Sequence, residues 1–122
     1  MPQQNSGQTT APSLTASLTS ERSPALCLRW LFPKTDGPSL TLPPGASAEL
    51  FIGRDEDCAA QLSGQDVSRR HASIQSQGPH SVLVDLGSRN GTWVNGRAIK
   101  SIVLAAHDVV RIGGWVGVVT LG

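Results

Sequence analysis

From Leu26 to Leu121 the apolar positions recur with a period of two, the repeat of a half-buried strand, and never with the 3.6-residue repeat of an amphipathic helix. Leu26, Leu28, Trp30 and Phe32 share one face of the first run, and Arg29 points the other way. Pro33, Asp36, Gly37 and Pro38 break it, as turn chemistry requires. Leu40-Thr41-Leu42 is a short second run, stopped by Pro43-Pro44-Gly45, and Ala48–Gly53 is a third. Arg54–Cys58 is charged and aperiodic. His71–Gln75 and Ser81–Leu86 read as two strands around a Gln77-Gly78-Pro79 turn. Thr92-Trp93-Val94 runs into Asn95-Gly96, a hairpin signal. Val109–Ile112 and Trp115–Leu121 are joined at Gly113-Gly114. Many short strands punctuated by Gly, Pro and Asn predict an all-β sandwich or barrel.

The chain has 122 residues, enough for one domain. Residues 1–24 are Gln, Ser, Thr, Ala and Pro in mixed order, with only Leu14 and Leu18 able to seek a core. Burial there cannot offset the entropy of ordering, so a disordered tail is expected, followed by one domain over residues 25–122. No apolar run approaches the ~20 residues of a membrane helix, and no secretory signal precedes Cys27 and Cys58. The expectation is a cytoplasmic protein with two reduced thiols. A net charge of +1 supplies no bulk attraction to nucleic acid, so the arginines matter by position.

Three loop clusters stand out from the strand pattern. Gly53-Arg54 closes one strand, Ser68-Arg69-Arg70-His71 opens another, and Leu86–Thr92 links two more. Together they offer four guanidiniums, several hydroxyls, an Asn amide and glycine-freed backbone N–H groups. That inventory suits an anion with several acceptor oxygens. Loops at one end of a rigid sandwich are where binding chemistry usually sits.

In content, order and spacing, Gly53-Arg54, Ser68-Arg69-Arg70-His71-Ala72 and Leu86-Gly87-Ser88-Arg89-Asn90-Gly91-Thr92-Trp93-Val94-Asn95-Gly96 resemble the forkhead-associated (FHA) family. The resemblance covers the chain from about residue 25 onward. It implies an FHA-type (SMAD/FHA-like) eleven-stranded β-sandwich that binds a phosphothreonine-containing protein or peptide through loops at one end, without catalysis or cofactor. Arg54 then corresponds to the arginine that contacts the phosphate, and Ser68 to the serine that bonds a phosphate oxygen. Arg69 occupies a position where a further phosphate donor is common. Asn90 corresponds to the asparagine that bonds the peptide backbone, with Arg89 just before it. His71 corresponds to an internal brace, and Gly53 and Gly91 to glycines required by backbone geometry. A basic rim favours an acidic peptide flank, which Asp55-Glu56-Asp57 would offset. The Gly113–Gly117 ending also resembles FHA domains at the front of bacterial transcription regulators.

Other readings compete with these. Ser68, His71 and Asp66 are the residue types of a hydrolytic triad, but Ser and His with two residues between them at a strand entrance do not ordinarily meet, and no Gly-x-Ser-x-Gly elbow exists. Nucleic-acid binding is opposed by the weak net charge and interspersed acids. Asp55-Glu56-Asp57 lacks a second ligand cluster for a metal. Trp30, Trp93 and Trp115 read as core or strand-face residues, His80 and His107 as turn residues, and Asn95-Gly96 as a turn with no ligand contact. A phosphate-independent assembly module on the same fold is a closer alternative. Thr9, Thr10, Thr15 and Thr19 make the tail a substrate for a kinase, and thereby for self-association through a phosphorylated tail.

Overall fold

In the computed structural model, which describes residues 25–42 and 49–122, the chain forms two facing antiparallel-rich sheets. The described residues contain eleven strands: β1 (Leu26–Phe32), β2 (Leu40–Leu42), β3 (Glu49–Gly53), β4 (Ala60–Gln61), β5 (Ala72–Gln77), β6 (His80–Asp85), β7 (Thr92–Val94), β8 (Arg97–Ile99), β9 (Ser101–Val103), β10 (Val109–Ile112) and β11 (Trp115–Leu121). One sheet has the order β9-β6-β5-β3-β4 and the other β2-β1-β11-β10-β7-β8. The expected tail, residues 1–24, and the Pro43-Pro44-Gly45 break lie outside the described residues.

The period-two pattern works as expected where strands are long. Val110 and Ile112 of β10 point inward while Val109 and Arg111 point out, and Trp115, Gly117 and Val119 alternate likewise in β11. Between the sheets the core packs Leu28, Trp30, Leu42, Ile52, Ile74, Leu83 and Val119, each almost wholly buried. Phe32 departs from the expected inward row and is 55% exposed, because the ladder slips by one residue at Leu31, with Gly117 opposite Trp30 and Val116 opposite Phe32, and the alternation breaks there. At Gly117, beside this slip, a Cβ would meet the Trp30 ring at 2.9 Å. His80 opens β6 rather than sitting in the turn, which is confined to Gly78-Pro79. The stretch after Arg54, expected to be loop, contains β4, two residues that pair in parallel with Ile52 and Gly53.

Trp30 and Trp115 meet edge to face, with ring centroids 5.7 Å apart. Each indole N–H leaves the core to hold a loop: Trp30 donates to the Pro38 carbonyl at 2.9 Å, and Trp115 to the Ser63 carbonyl at 2.8 Å. Core packing therefore fixes two loops at the end of the sandwich where β3 and β6 finish and β5 and β7 begin. The ladders place Ile52 opposite Ala72, Ala72 opposite Asp85, and Ile112 opposite Thr92, so the three arginine-bearing loops all emerge there.

Truncating Trp30 to Ala should lower the unfolding free energy by about 3–5 kcal/mol, since it removes a buried ring and its bond to Pro38. Leu31→Ala, at a residue 53% exposed, should change it by less than about 0.5 kcal/mol. Urea titration of both variants checks the contrast.

Candidate functional site

The first loop begins where β3 runs directly beneath the Val67–His71 segment. Arg54 N–H donates to the Ser68 carbonyl at 3.0 Å, and Asp55 N–H to the Arg69 carbonyl at 3.1 Å. Gly53 permits this approach: a Cβ on it would lie 2.1 Å from the Arg69 carbonyl oxygen, so any side chain must push the two segments apart. The requirement here is closeness, not an unusual φ. Arg54 is exposed, but its guanidinium is not loose, since Nε donates to the Val67 carbonyl at 2.7 Å. Neither terminal nitrogen has a partner among the described residues.

His71 opens the second strand and is wholly buried. Its Nδ1 accepts the Ser68 N–H at 3.0 Å, so the ring proton sits on Nε2, which donates to the Gly91 carbonyl at 2.8 Å. One imidazole thus joins the Ser68 loop to the Leu86–Thr92 loop. This geometry removes the triad reading: His71 bonds the backbone of Ser68 rather than its hydroxyl, and both ring nitrogens are occupied. The Ser68 Oγ instead accepts the Arg89 N–H at 3.1 Å, and its own hydrogen has no acceptor among the described residues.

The third loop crosses from one sheet to the other and is folded around Asp85, a residue the sequence pattern shows only as a strand end. Its carboxylate accepts N–H bonds from Gly87 at 3.1 Å and Ser88 at 3.2 Å, together with the hydroxyls of Ser88 and Thr92. Ser88 Oγ in turn accepts the Gly91 N–H at 3.0 Å. Burial pushes the Asp85 carboxyl upward, but the hydroxyls of Ser88 and Thr92 and the two backbone donors outweigh it and hold the group below its ordinary value of 3.8. Asp followed by Gly and Ser at the second and third positions is an Asx-turn pattern, and that signal was available in the sequence. Gly91 adopts φ 84°, a left-handed conformation that disfavours other residues. The adjoining Trp93 supports this loop from outside, its indole N–H reaching the Asn90 carbonyl at 3.3 Å and its ring lying under Arg111.

Arg54, Ser68, Arg69, Arg89 and Asn90 therefore gather at one end of the sandwich. Asn90 is exposed and ties the two loops together by donating from Nδ2 to the Asp66 carbonyl at 3.2 Å. Arg54 and Arg69 flank an open cleft also lined by Asp55, Glu56 and Asp57. Arg70 does not join them: it pairs with Asp57 and stacks over Phe51, 4.4 Å from the ring centroid. Four guanidiniums in the sequence thus become three at the site, and one of the three acids is already neutralised. Both thiols are free and buried. Burial raises the Cys58 thiol, and the Asp57 carboxylate adds to the effect, so Cys58 stays protonated beneath the Arg69 carbonyl. Among the described residues no three His, Cys, Asp or Glu side chains converge as a metal site would need, and no helix is long and apolar enough to cross a membrane.

Comparison with known proteins matches residues 50–113 to the FHA domain family. The FHA domain-containing protein FhaA of Mycobacterium tuberculosis is 44% identical over 63 residues, 52% of this chain and 12% of that protein. The glycogen accumulation regulator GarA of Mycolicibacterium smegmatis is 46% identical over 61 residues, 50% of this chain and 39% of that protein. This chain thus spans well under half the length of either relative. A solved structure from a structural and functional analysis of phosphothreonine-dependent FHA domain interactions superposes with a TM-score of 0.69 at 32% identity, covering 80% of this chain and 97% of that one.

Because the folded Asp85 carboxyl is held below its unfolded value, its contribution to stability is present above pH ~4 and disappears as pH falls through the folded value. The unfolding free energy of Asp85→Asn should therefore fall below that of the wild type by about 1–3 kcal/mol near pH 7, and the gap should narrow towards pH 2. Denaturant titrations of both proteins from pH 2 to 7 test this, and a gap independent of pH would refute it.

Proposed function

The chain belongs to the FHA domain family, and from that premise we propose that it binds phosphothreonine on a partner protein modified by a Ser/Thr kinase. The observation that carries this reading is the disposition of donors. Arg54 is pinned through Nε with both terminal nitrogens unpartnered among the described residues, and the Ser68 hydroxyl accepts the Arg89 N–H while its own hydrogen has no acceptor there. A phosphothreonine brings about −1.5 to −2 charge and three strong acceptors. Arg54 and Ser68 meet its oxygens, Arg69 and Arg89 supply further charge from the rim, and Asn90 bonds the peptide backbone and sets its register. Gly53, His71 and Gly91 act through the loops they hold. The module has no reaction to perform, and its task is recruitment.

The threonine methyl contributes at most ~1 kcal/mol by burial. Strong discrimination against phosphoserine therefore also draws on the conformational preference of the β-branched residue. In a cell the module works in the cytoplasm, where its kinase and its partner meet.

Charge-assisted bonds kept from water are worth ~1.5–3 kcal/mol each. Arg54→Ala should then weaken binding of a phosphothreonine peptide about ten- to a hundredfold, and Ser68→Ala somewhat less. Calorimetric titration with phosphothreonine, phosphoserine and unmodified peptides provides the check. Equal binding of the unmodified peptide, or an Arg54→Ala variant with undiminished affinity, would overturn the reading.

The threonines of the N-terminal segment, Thr9, Thr10, Thr15 and Thr19, also make this protein a ligand for its own site or for that of a second copy. Tethering raises the effective concentration, so even a modest intrinsic affinity suffices. Kinase-treated full-length protein should bind an external phosphopeptide more weakly than the same preparation lacking residues 1–24. Equal affinities would sink the idea.

A further inference from the structure

The segment Asp66–Ser68 offers three successive carbonyls to groups of the ligand end. Asp66 accepts the Asn90 Nδ2–H at 3.2 Å, Val67 accepts the Arg54 Nε–H at 2.7 Å, and Ser68 accepts the Arg54 backbone N–H at 3.0 Å. An asparagine amide has two N–H groups and one carbonyl, so the bond to Asp66 leaves one donor and the acceptor for a peptide backbone. The segment is seated on the β10–β11 turn. Val67 is almost wholly buried, and Gly113 comes so close that a Cβ there would lie 2.9 Å from Val67 Cγ2 and 3.0 Å from the Asp66 carbonyl oxygen. That oxygen is the one that holds Asn90. The turn reaches this end of the sandwich because Ile112 pairs with Trp115 in one ladder and with Thr92 in another. Gly113 also has φ 57°.

We propose that Gly113 is a positioning residue of the phosphopeptide site: by carrying no side chain, it lets the Asp66 and Val67 carbonyls settle where they hold Asn90 and Arg54 for binding. The inference rests on the phosphothreonine reading above and adds to it a residue outside the three loop clusters. Gly113 touches no ligand and acts only through the segment above it. A Cβ must displace that segment, because neither of these two obstacles is the free end of a flexible chain. One is main chain, and the other is a β-branched side chain packed in the core. Moving the Asp66 carbonyl loosens Asn90 first, since its bond is the longest of the three. Arg54 keeps a second hold through its own backbone on Ser68. The loss of affinity caused by a side chain at Gly113 therefore runs chiefly through Asn90.

The test titrates a phosphothreonine peptide into full-length Gly113→Ala and Gly78→Ala. Gly78 is the matched control: its φ is 61°, nothing lies within 4 Å of where its Cβ would be, and it turns the chain at the opposite end of the β5–β6 ladder from Ala72 and Asp85. Both variants carry a similar backbone strain. Only Gly113→Ala should weaken the peptide, by about three- to tenfold, with Gly78→Ala within about twofold of the wild type. In an Asn90→Ala background the further loss from Gly113→Ala should shrink to less than about twofold. The side-chain amide signals of Asn90 in a nitrogen–proton spectrum should move in Gly113→Ala and stay in place in Gly78→Ala. If Gly113→Ala does not fold, Gly113→Asn and Gly78→Asn repeat the comparison, since asparagine tolerates a positive φ but still brings a Cβ. Undiminished binding by the folded Gly113 variant, an equal loss in its Gly78 counterpart, or a loss that persists in full without Asn90 would overturn the proposal and leave the phosphate reading standing. Failure of both Gly113 variants to fold would make the residue a requirement of the fold and overturn it too. If the wild type shows no Arg54-dependent binding of the peptide, both readings fall together.

Discussion

The ligand end of this molecule depends on one buried imidazole. His71 has no exposed surface, and each of its nitrogens holds a backbone group of a different loop: the Ser68 N–H on one side and the Gly91 carbonyl on the other. A neutral ring has one donor and one acceptor, so the pair of bonds permits a single tautomer and fixes the span between the loops. Ser68 and Asn90, which sit on either side of that span, inherit their separation from it. Most replacements would leave at least one of two buried backbone groups unpaired, and that desolvation cost is what makes the strut hard to change.

Around this strut the loops are organised by internal hydrogen bonds, so their order does not wait for a ligand. Asp85 gathers four donors from the Gly87–Thr92 segment, and Ser88 passes the restraint on to Gly91. Arg54 is braced by Val67, and Ser68 Oγ by Arg89 N–H. The ordering entropy of these groups is met during folding, which leaves more of the binding energy to appear as affinity. Arg69 and Arg89 are exposed and have no comparable bracing, so their share is screened by salt and reduced by the ordering of long side chains. Arg54 and Ser68 should therefore dominate the energetics, with the rim arginines tuning them.

The sequence made the long strands legible because their periodicity runs for several residues, and it made the three loop clusters legible because glycine, arginine and asparagine interrupt that periodicity. What escaped it has a physical explanation in each case. β4 is two residues long, too short for alternation to register, and β9 has only Ile102 half-buried between two exposed residues. Phe32 continues an inward row on paper, but the register shift at Leu31 breaks the alternation before it. Arg70 looks equivalent to Arg69 in sequence; only the three-dimensional approach of Asp57 and Phe51 takes it out of the site. Gly53 appeared as a backbone device of unspecified kind, and its reason proved to be the nearness of the Arg69 carbonyl across fifteen intervening positions of loop and short strand. Asp85 was hidden by its place at the end of a strand, although the Gly and Ser that follow it carry the turn signature.

The small net charge now acquires a meaning. A protein of net charge +1 has almost no long-range field with which to gather anions. Arg54 and Arg69 stand beside Asp55 and Glu56, and Asp57 is already paired with Arg70. Such a mixed surface gives little to a diffuse anion or to a nucleic-acid backbone, whose binding grows with the number of uncompensated cations. It gives much more to a compact dianion whose oxygens reach the terminal nitrogens of Arg54 and the hydroxyl of Ser68 together, because short directed bonds survive both the nearby acids and salt. Selectivity for a phosphorylated side chain thus follows from how few cations the site leaves free and how firmly it holds them.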